Sequence, residues 1–517
     1  MTENITIVLH SDPEDKYINQ TVLSIANQTV KNFNVVFIGE IKSEFASLLA
    51  KENIDFEWIT DAEKFYAEIL IESIEQYFND FILYIDNMKN PVILKEAALE
   101  AFLIAAERNP GAGSFYADYD LKKGDEVKEV HLLNYHIGRV RDNQDFGKVF
   151  FLRREALDRI GGLDKTLKFK VQYDIRLKIS EIFNIIRISN KYSGSFYTII
   201  ASEQKANVFD YLMSDTNVQL EAEKVLTNHL KRIGAYLEPG VFMDSGNKIE
   251  GEYDLKASII IPVGHRPEFI DTAIESIQAQ TVKDIEAIIV VNGGKEDPTV
   301  DSVRKYMPGG EFYDPAKPEI RLIVIDINNI GLCLNIGTKS ARGKYYIQLD
   351  SDDRLKPDAV EKVLNAFKKD DNIGMVIGSY EVWEKLEDGT MKRMEEIPVV
   401  THDEWTDDNG RNNLLRINGA GAPRCIPIDI IKEMGYFSIN DDKYARNYGE
   451  DYEMVLKVSE YYKIGRIYDP IYEVVRHSGG TDHAISEDVI MRNDEAKDDM
   501  RKHAILRRIA YNKNFNI

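Results

Sequence analysis

Two matching stretches constrain the fold of this chain more than anything else in it. Ile18 to Lys31 reads INQTVLSIANQTVK and Ile270 to Lys283 reads IDTAIESIQAQTVK; Gln280 minus Gln28 gives an offset of 252 residues. Each copy opens with a β-rich segment (Ile5 to Leu9; Ser258 to Pro262), passes through the repeated amphipathic helix, and returns to a strand (Asn34 to Ile38; Glu286 to Val291). Strand, helix, strand implies a parallel sheet with crossover helices. The expected architecture is therefore α/β, with one such domain twice over. A second match pairs Tyr173 to Glu181 with Tyr452 to Glu460 at an offset of 279, so copy two carries extra loop in its second half, where functional insertions tend to sit. Between the copies, Asp210 to Gly234 has a helical pattern, with Ala222, Leu226, Leu230 and Ile233 on one face, and Pro239 to Asn247 is turn-rich. The predicted division is 1–205, a helical linker over 206–255, 256–485, and a C-terminal helical segment over 486–517.

At 517 residues the chain exceeds what one hydrophobic core usually organises, which agrees with the duplication. Its formal charge of -22 argues against nucleic acid or anionic lipid as a partner. Cys333 and Cys425 alone make neither a disulfide framework nor a thiolate metal site, and suit a reducing cytosol. The start of the sequence has no basic segment followed by an apolar one, and no apolar run is long enough to cross a bilayer. The expectation is a cytoplasmic protein, at most peripheral to the inner face of a membrane.

Asp350-Ser351-Asp352-Asp353 closes the apolar stretch Tyr345 to Leu349. Carboxylates where a parallel strand ends suit a hard divalent cation that keeps positions open for substrate phosphates. The alternative is a set of acids solvating a turn and complementing a helix that starts near Asp358. An EF-hand fails, because Leu355 stands where its loop needs Gly and Arg354 where it needs a ligand.

Copy two resembles the family 2 glycosyltransferases of the GT-A fold. The resemblance rests on Ser258-Ile259-Ile260-Ile261-Pro262-Val263, Gln280-Thr281, Val290-Val291-Asn292-Gly293-Gly294, Asn329-Ile330-Gly331, Asn335, Ala341 to Tyr345, the four-residue acidic segment and Gly449-Glu450-Asp451, in that order over roughly Lys256 to His483. The segment Asn228 to Gly234 resembles the join between tandem family 2 domains of bacterial surface-polysaccharide synthesis. The resemblance implies two tandem Rossmann-like domains. It implies a nucleotide-diphosphate sugar donor held by Pro262, Val263, Asn292, Gly293, Asn329, Gly331, Lys339, Asp350 and Ser351. It implies Mn²⁺ or Mg²⁺ on Asp350, Asp352 and His477, with His483 the other histidine considered. Asp451, beside Glu450, is implied as the general base that takes the proton of a glycan or lipid-linked acceptor, inverting the anomeric carbon. Family members usually carry Asp near Asn292, so the base contact departs from the pattern here. Trp405, Asn418-Gly419-Ala420-Gly421 and Arg424 are candidates for the acceptor side. Oligomerisation is compatible with the sequence.

Two other functions compete. A sugar-nucleotide pyrophosphorylase needs a glycine-rich phosphate loop after its first strand, which Pro262-Val263-Gly264-His265-Arg266 does not provide. A non-catalytic glycan-binding scaffold would not need the acidic segment or the Glu450-Asp451 pair. Copy one, by contrast, ends the equivalent strand in Asp86-Asn87-Met88-Lys89 and places Val171 and Gln172 at the positions of Glu450 and Asp451. The offset of 279 sets Thr198 opposite His477, leaving Asp174, Asp118 and Asp120 as substitutes. Copy one is expected to fold and to be catalytically silent.

Overall fold

The computed structural model describes residues 4–11, 17–40, 43–60, 66–76, 79–189, 194–201, 216–246, 248–386, 388–401, 409–417, 421–439, 441, 449–477 and 487–515. These fall into two compact units, the first running to His229 and the second from Leu230. The first is built on a seven-stranded sheet in the spatial order Asp55–Ile59, Phe33–Gly39, Ile5–Ser11, Phe81–Ile85, Val149–Arg153, Ala112–Ala117, Asn184–Ile188. The second repeats that order as Glu319–Val324, Ile285–Val291, Leu255–Val263, Gly343–Gln348, Arg424–Pro427, Ile373–Lys385, Lys463–Arg476. In both, the fifth strand is antiparallel to its neighbours and the other core pairings are parallel.

Register makes the correspondence residue by residue. Ile7 pairs with Leu83, which faces Phe151; Ile259 pairs with Ile347, which faces Cys425. The ends of both chains of pairing match, so Asp86 occupies the place of Asp350 and Phe150 the place of Arg424. The central strands are buried from end to end, as in Ile285–Val291, because crossover helices cover both faces of a parallel sheet. A smaller sheet follows in unit one, formed by Val92–Leu94, Tyr197–Ile200, Tyr119–Lys123 and Glu126–Val130. In unit two its counterparts are the far halves of two long strands, which change register near Ser379 and carry the sheet onward to Arg354–Leu355 and Met391–Arg393.

The repeated Gln-Thr dipeptide explains why the sequence match is strongest there. Gln280, fully buried, donates from Nε2 to the carbonyls of Ser276 (3.0 Å) and Lys356 (2.8 Å) and accepts the Val360 N–H (3.1 Å). Gln28 makes the same three bonds, to Ser24 (3.0 Å), Lys95 (2.9 Å) and Leu99 (3.0 Å). Thr281 and Thr29 each reach a glutamate, Glu361 and Glu100. One side chain thus ties the end of the first helix to the turn after the strand that carries the acidic segment, and satisfies backbone groups that burial would otherwise orphan. These motif residues position the site and do not enter it.

Within 206–255 a helical stretch precedes an irregular one. A helix spans Thr216–Arg232, and the described residues of 233–254 form neither helix nor strand. The helix belongs with unit one through Glu221, which accepts the N–H groups of Lys168, Phe169 and Lys170 (2.9, 2.7 and 2.7 Å), and through His229, whose Nδ1 lies 2.7 Å from Glu181. The C-terminal segment is a single helix, Glu487–Phe515, seated in unit two by Arg507 on the buried Glu460 (2.9 and 3.0 Å).

Replacing Gln280 by Leu leaves the Val360 N–H and Lys356 carbonyl without partners. The expected loss is about 2–4 kcal/mol of unfolding free energy, read as a lower urea midpoint for unit two; an unchanged midpoint would show that the clamp carries no weight.

Candidate active site of the second unit

The acidic turn is held from below by one tyrosine. Tyr472, fully buried on the last long strand, donates its hydroxyl to Asp353 Oδ2 (2.8 Å) and accepts the Asp350 N–H (3.1 Å). Asp353 Oδ1 accepts the Val475 N–H (2.8 Å). Asp353 is therefore spent on the scaffold: burial first, then the neighbouring Asp350 and Asp352, push its carboxyl well above the usual range. Asp350 and Asp352 remain for a ligand, with Ser351 buried between them. Two residues beyond Val475 the strand delivers His477, whose Nε2 lies 3.0 Å from Asp352 Oδ2 and whose ring sits against Phe269 at 4.1 Å. The same tyrosine bond that fixes the turn thus fixes the spacing of its third candidate ligand.

Asp451 enters from the first turn of the helix Glu450–Tyr461, whose N-cap, Gly449, has φ +86°. Its Oδ2 lies 3.3 Å from Arg424 Nη2. Arg424 also donates to the Gly421 carbonyl (2.8 Å) and reaches Gln348 Oε1 (3.4 Å), and Gln348 Nε2 lies 3.4 Å from Asp350 Oδ1. A single guanidinium thus stands between the metal-side and base-side carboxylates. Burial alone would raise Asp451, but Arg424, then Lys497, outweigh it and hold the carboxyl below the usual range. Glu450 also feels Arg424, but less than it feels burial and Asp451. Burial and the adjacent Asp451 carry it up to about 7. Asp350 is raised by burial and by Asp352, with Arg424 opposing.

That repulsion fits a cation at this place. Among the described residues no group of three or more His, Cys, Asp or Glu side chains encloses an ion. With Asp353 turned inward, Asp350, Asp352 and His477 offer a partial, oxygen-rich set, which is what a divalent ion shared with substrate phosphates needs.

The donor side divides. Pro262 and Val263 end the first strand, Val263 with its side chain in the core and its carbonyl on the Asn292 N–H (2.9 Å). Asn292 is buried and donates to Asn328 Oδ1 at 3.3 Å. At Gly293 a Cβ would lie 2.2 Å from Asp297 Oδ2 and 2.8 Å from His265 Nε2, so a larger residue would have to displace those side-chain ends. Three of the residues expected at the donor have partners within the chain. Asn329 caps the helix Ile330–Ser340, accepting the Leu332 N–H (2.8 Å) and donating to the Ile439 carbonyl (3.1 Å). Gly331 admits the Ser438 carbonyl, which a Cβ would meet at 1.8 Å. Lys339 lies in the last turn of that helix, over the Tyr436 ring, at the opposite sheet edge from Asp350, roughly 20 Å away along the six-residue strand between them. Trp405, Asn418, Gly419, Ala420 and His483 lie outside the described residues.

Unit one shows the same places filled differently. Asp86 pairs with Lys148 (2.7 Å), not with Lys89 as its sequence position suggested. Asn87 is locked to the His10 backbone at 2.8 and 2.9 Å. Asp118 is consumed by Arg187 and His131, Asp120 by Lys95, and Asp174 by Lys178. The helix Val171–Ile182 matches Glu450–Tyr461 in length and C-cap geometry, so Gln172 does stand at the place of Asp451. Strand register does not set Thr198 opposite His477: Tyr197 pairs with Leu94 as Tyr472 pairs with Leu355.

Residues 258–422 match the family model described as Glycosyl transferase family 2. Over 140 residues the chain is 34% identical to an uncharacterized glycosyltransferase of Rickettsia bellii, covering 27% of this chain and 19% of that protein. Over 119 residues it is 34% identical to a chondroitin synthase of Escherichia coli, covering 23% of this chain and 16% of that protein. The chain thus spans a fifth or less of these two relatives. Among solved structures, S. aureus TarS 1-349 in complex with UDP-GlcNAc aligns at 16% identity and TM-score 0.35 over 45% of this chain and 62% of that one.

The raised Glu450 predicts a pH signature. A carboxyl whose folded-state value is about 7 against an unfolded 4.5 favours the native state fully below pH 4.5 and loses that contribution as pH rises through 7. Glu450→Gln should therefore flatten the decline of stability between pH 5 and pH 8 relative to the wild-type chain, measured by urea midpoints; parallel curves for the two proteins would contradict the assignment.

Proposed function

We propose that this chain, whose residues 258–422 form a family 2 glycosyltransferase domain, is a metal-dependent inverting glycosyltransferase that moves a sugar from a nucleotide-diphosphate donor to a glycan or glycolipid acceptor, with the second unit doing the chemistry. The observation that carries the reading is the pair of carboxylate sites on either side of Arg424: Asp350 and Asp352 with His477 on one, ionised Asp451 on the other.

Asp350, Asp352 and His477 would hold a Mn²⁺ or Mg²⁺ ion, which when bound offsets the charge of the departing diphosphate. Asn292 and Gly293 lie where the crevice of an open α/β sheet takes a nucleotide, at the carboxyl ends of the strands. Asp451 accepts the acceptor hydroxyl proton as that oxygen bonds the anomeric carbon from the face opposite the leaving group. The bond from that carbon to the diphosphate breaks, its electrons leave with the nucleoside diphosphate, and the configuration inverts. Glu450, carrying a proton near neutral pH, leaves Asp451 as the base of the pair. Unit one, with each matching carboxylate absent or paired, contributes no second transfer site in this reading. No helix among the described residues is long and apolar enough to cross a membrane.

The test is a nucleotide-sugar panel with Mn²⁺ or Mg²⁺, the product anomer read by NMR. Asp352→Ala should abolish the metal-dependent gain in donor affinity. Asp451→Asn should keep donor affinity near normal and lower turnover roughly a hundredfold or more; a retained anomeric configuration, or normal turnover in Asp451→Asn, would overturn the mechanism.

A further inference from the structure

The duplication supplies an internal control for which residues the fold needs and which the chemistry needs. Four positions surround the guanidinium of Arg424 in unit two: Gly421, Gln348, Asp451 and, through Gln348, Asp350. Strand register and helix alignment identify their counterparts in unit one. Arg424 corresponds to Phe150, Gln348 to Tyr84 and Asp451 to Gln172. Arg424 and its two side-chain partners have been exchanged together, while Asp350 keeps a carboxylate counterpart in Asp86, which pairs with Lys148. Tyr84 and Phe150 stack at 6.3 Å and, with Gln172, Leu70, Ile74 and Arg176, line a mostly apolar pocket of about 30 Å³. The same seven-stranded sheet, with the same strand order, closes around either set.

A largely buried arginine that the scaffold does not require is costly to keep, because its charge gives up water that only full pairing replaces. Arg424 is retained with its carboxylate partner and absent where that carboxylate is absent. We propose that Arg424 is a positioning residue for the transfer reaction: it fixes the Asp451 carboxylate in orientation and, through Gln348, sets its distance from Asp350. The inference rests on the assignment of Asp451 as base. Arg424 itself touches neither the proton nor the anomeric carbon. Its guanidinium fork meets a backbone carbonyl, an amide oxygen and a carboxylate from three different segments, a task that lysine, with one rotatable ammonium, cannot reproduce.

The experiment compares wild type, Arg424→Met and Arg424→Lys in the full chain with Mn²⁺ and the best donor of the panel. Donor dissociation constants come from calorimetry with the nucleoside diphosphate, and kcat is measured with and without added guanidinium ion at tens of millimolar. Arg424→Met should lower kcat at least thirtyfold while donor affinity changes less than threefold, guanidinium should restore it at least fivefold, and Arg424→Lys should fall between. Unfolding midpoints verify that each variant is folded; if Arg424→Met does not fold, the kcat and affinity split in Arg424→Lys decides. Retention of kcat within threefold, or a kcat loss that tracks the loss of donor affinity and resists guanidinium, would overturn the role. A wild-type chain with no turnover on any donor would overturn the transferase reading instead, and this inference with it.

Discussion

Five carboxylates, Asp350, Asp352, Asp353, Glu450 and Asp451, converge on one edge of the second sheet, and their mutual repulsion governs how that edge is built. Two like charges about 4 Å apart repel by roughly 4 kcal/mol at an effective dielectric of 20. The protein answers each in a different way. Burial pushes the Asp353 carboxyl well above its usual range, and Tyr472 and Val475 hold it. Glu450 is raised to about 7. Asp451 stays ionised against Arg424. Asp350 and Asp352 keep an uncompensated share, which suits a divalent cation and fits a donor whose phosphates complete the coordination.

Everything beneath this edge serves its geometry. The parallel register delivers the first three strand ends side by side, the Gln280 clamp fixes the turn behind the acidic segment, and Tyr472 ties that turn to the strand that presents His477. At the opposite edge, the buried Glu286 holds Arg321 and Arg342 (2.8 Å each) and Ser258 (2.7 Å), so the Ala341 to Tyr345 motif is likewise a scaffold element. Unit one builds that corner from neutral Thr6, Asn34 and Asn79. The two units keep one fold while charged groups in the second stand where neutral or apolar groups stand in the first.

Much of this was legible in the sequence. The repeat and the alternation of strand and helix specify an α/β duplication, because period and order are local properties. The acidic segment and Glu450-Asp451 stand out for the same reason. What sequence does not reveal is how a motif residue is used once neighbours arrive from distant segments. Asn329 and Gly331 sit inside a family motif yet cap a helix and admit the Ser438 carbonyl, and Lys339 points to the wrong edge. Arg424 carries no local signature: its meaning comes from a partner 27 positions further on and from the antiparallel strand that brings them together. Reading each copy against the other, Phe150 against Arg424, was the available signal, and it required the register that only the sheet supplies.

The central claim is that one of two equivalent folds holds the donor site. The most direct measurement is the binding stoichiometry of a nucleoside diphosphate in the presence of Mn²⁺, by calorimetry on the full chain. The account predicts one site per chain, lost in Asp352→Ala and unchanged in Asp86→Ala. Two sites per chain, or a single site that survives Asp352→Ala and disappears in Asp86→Ala, would contradict it.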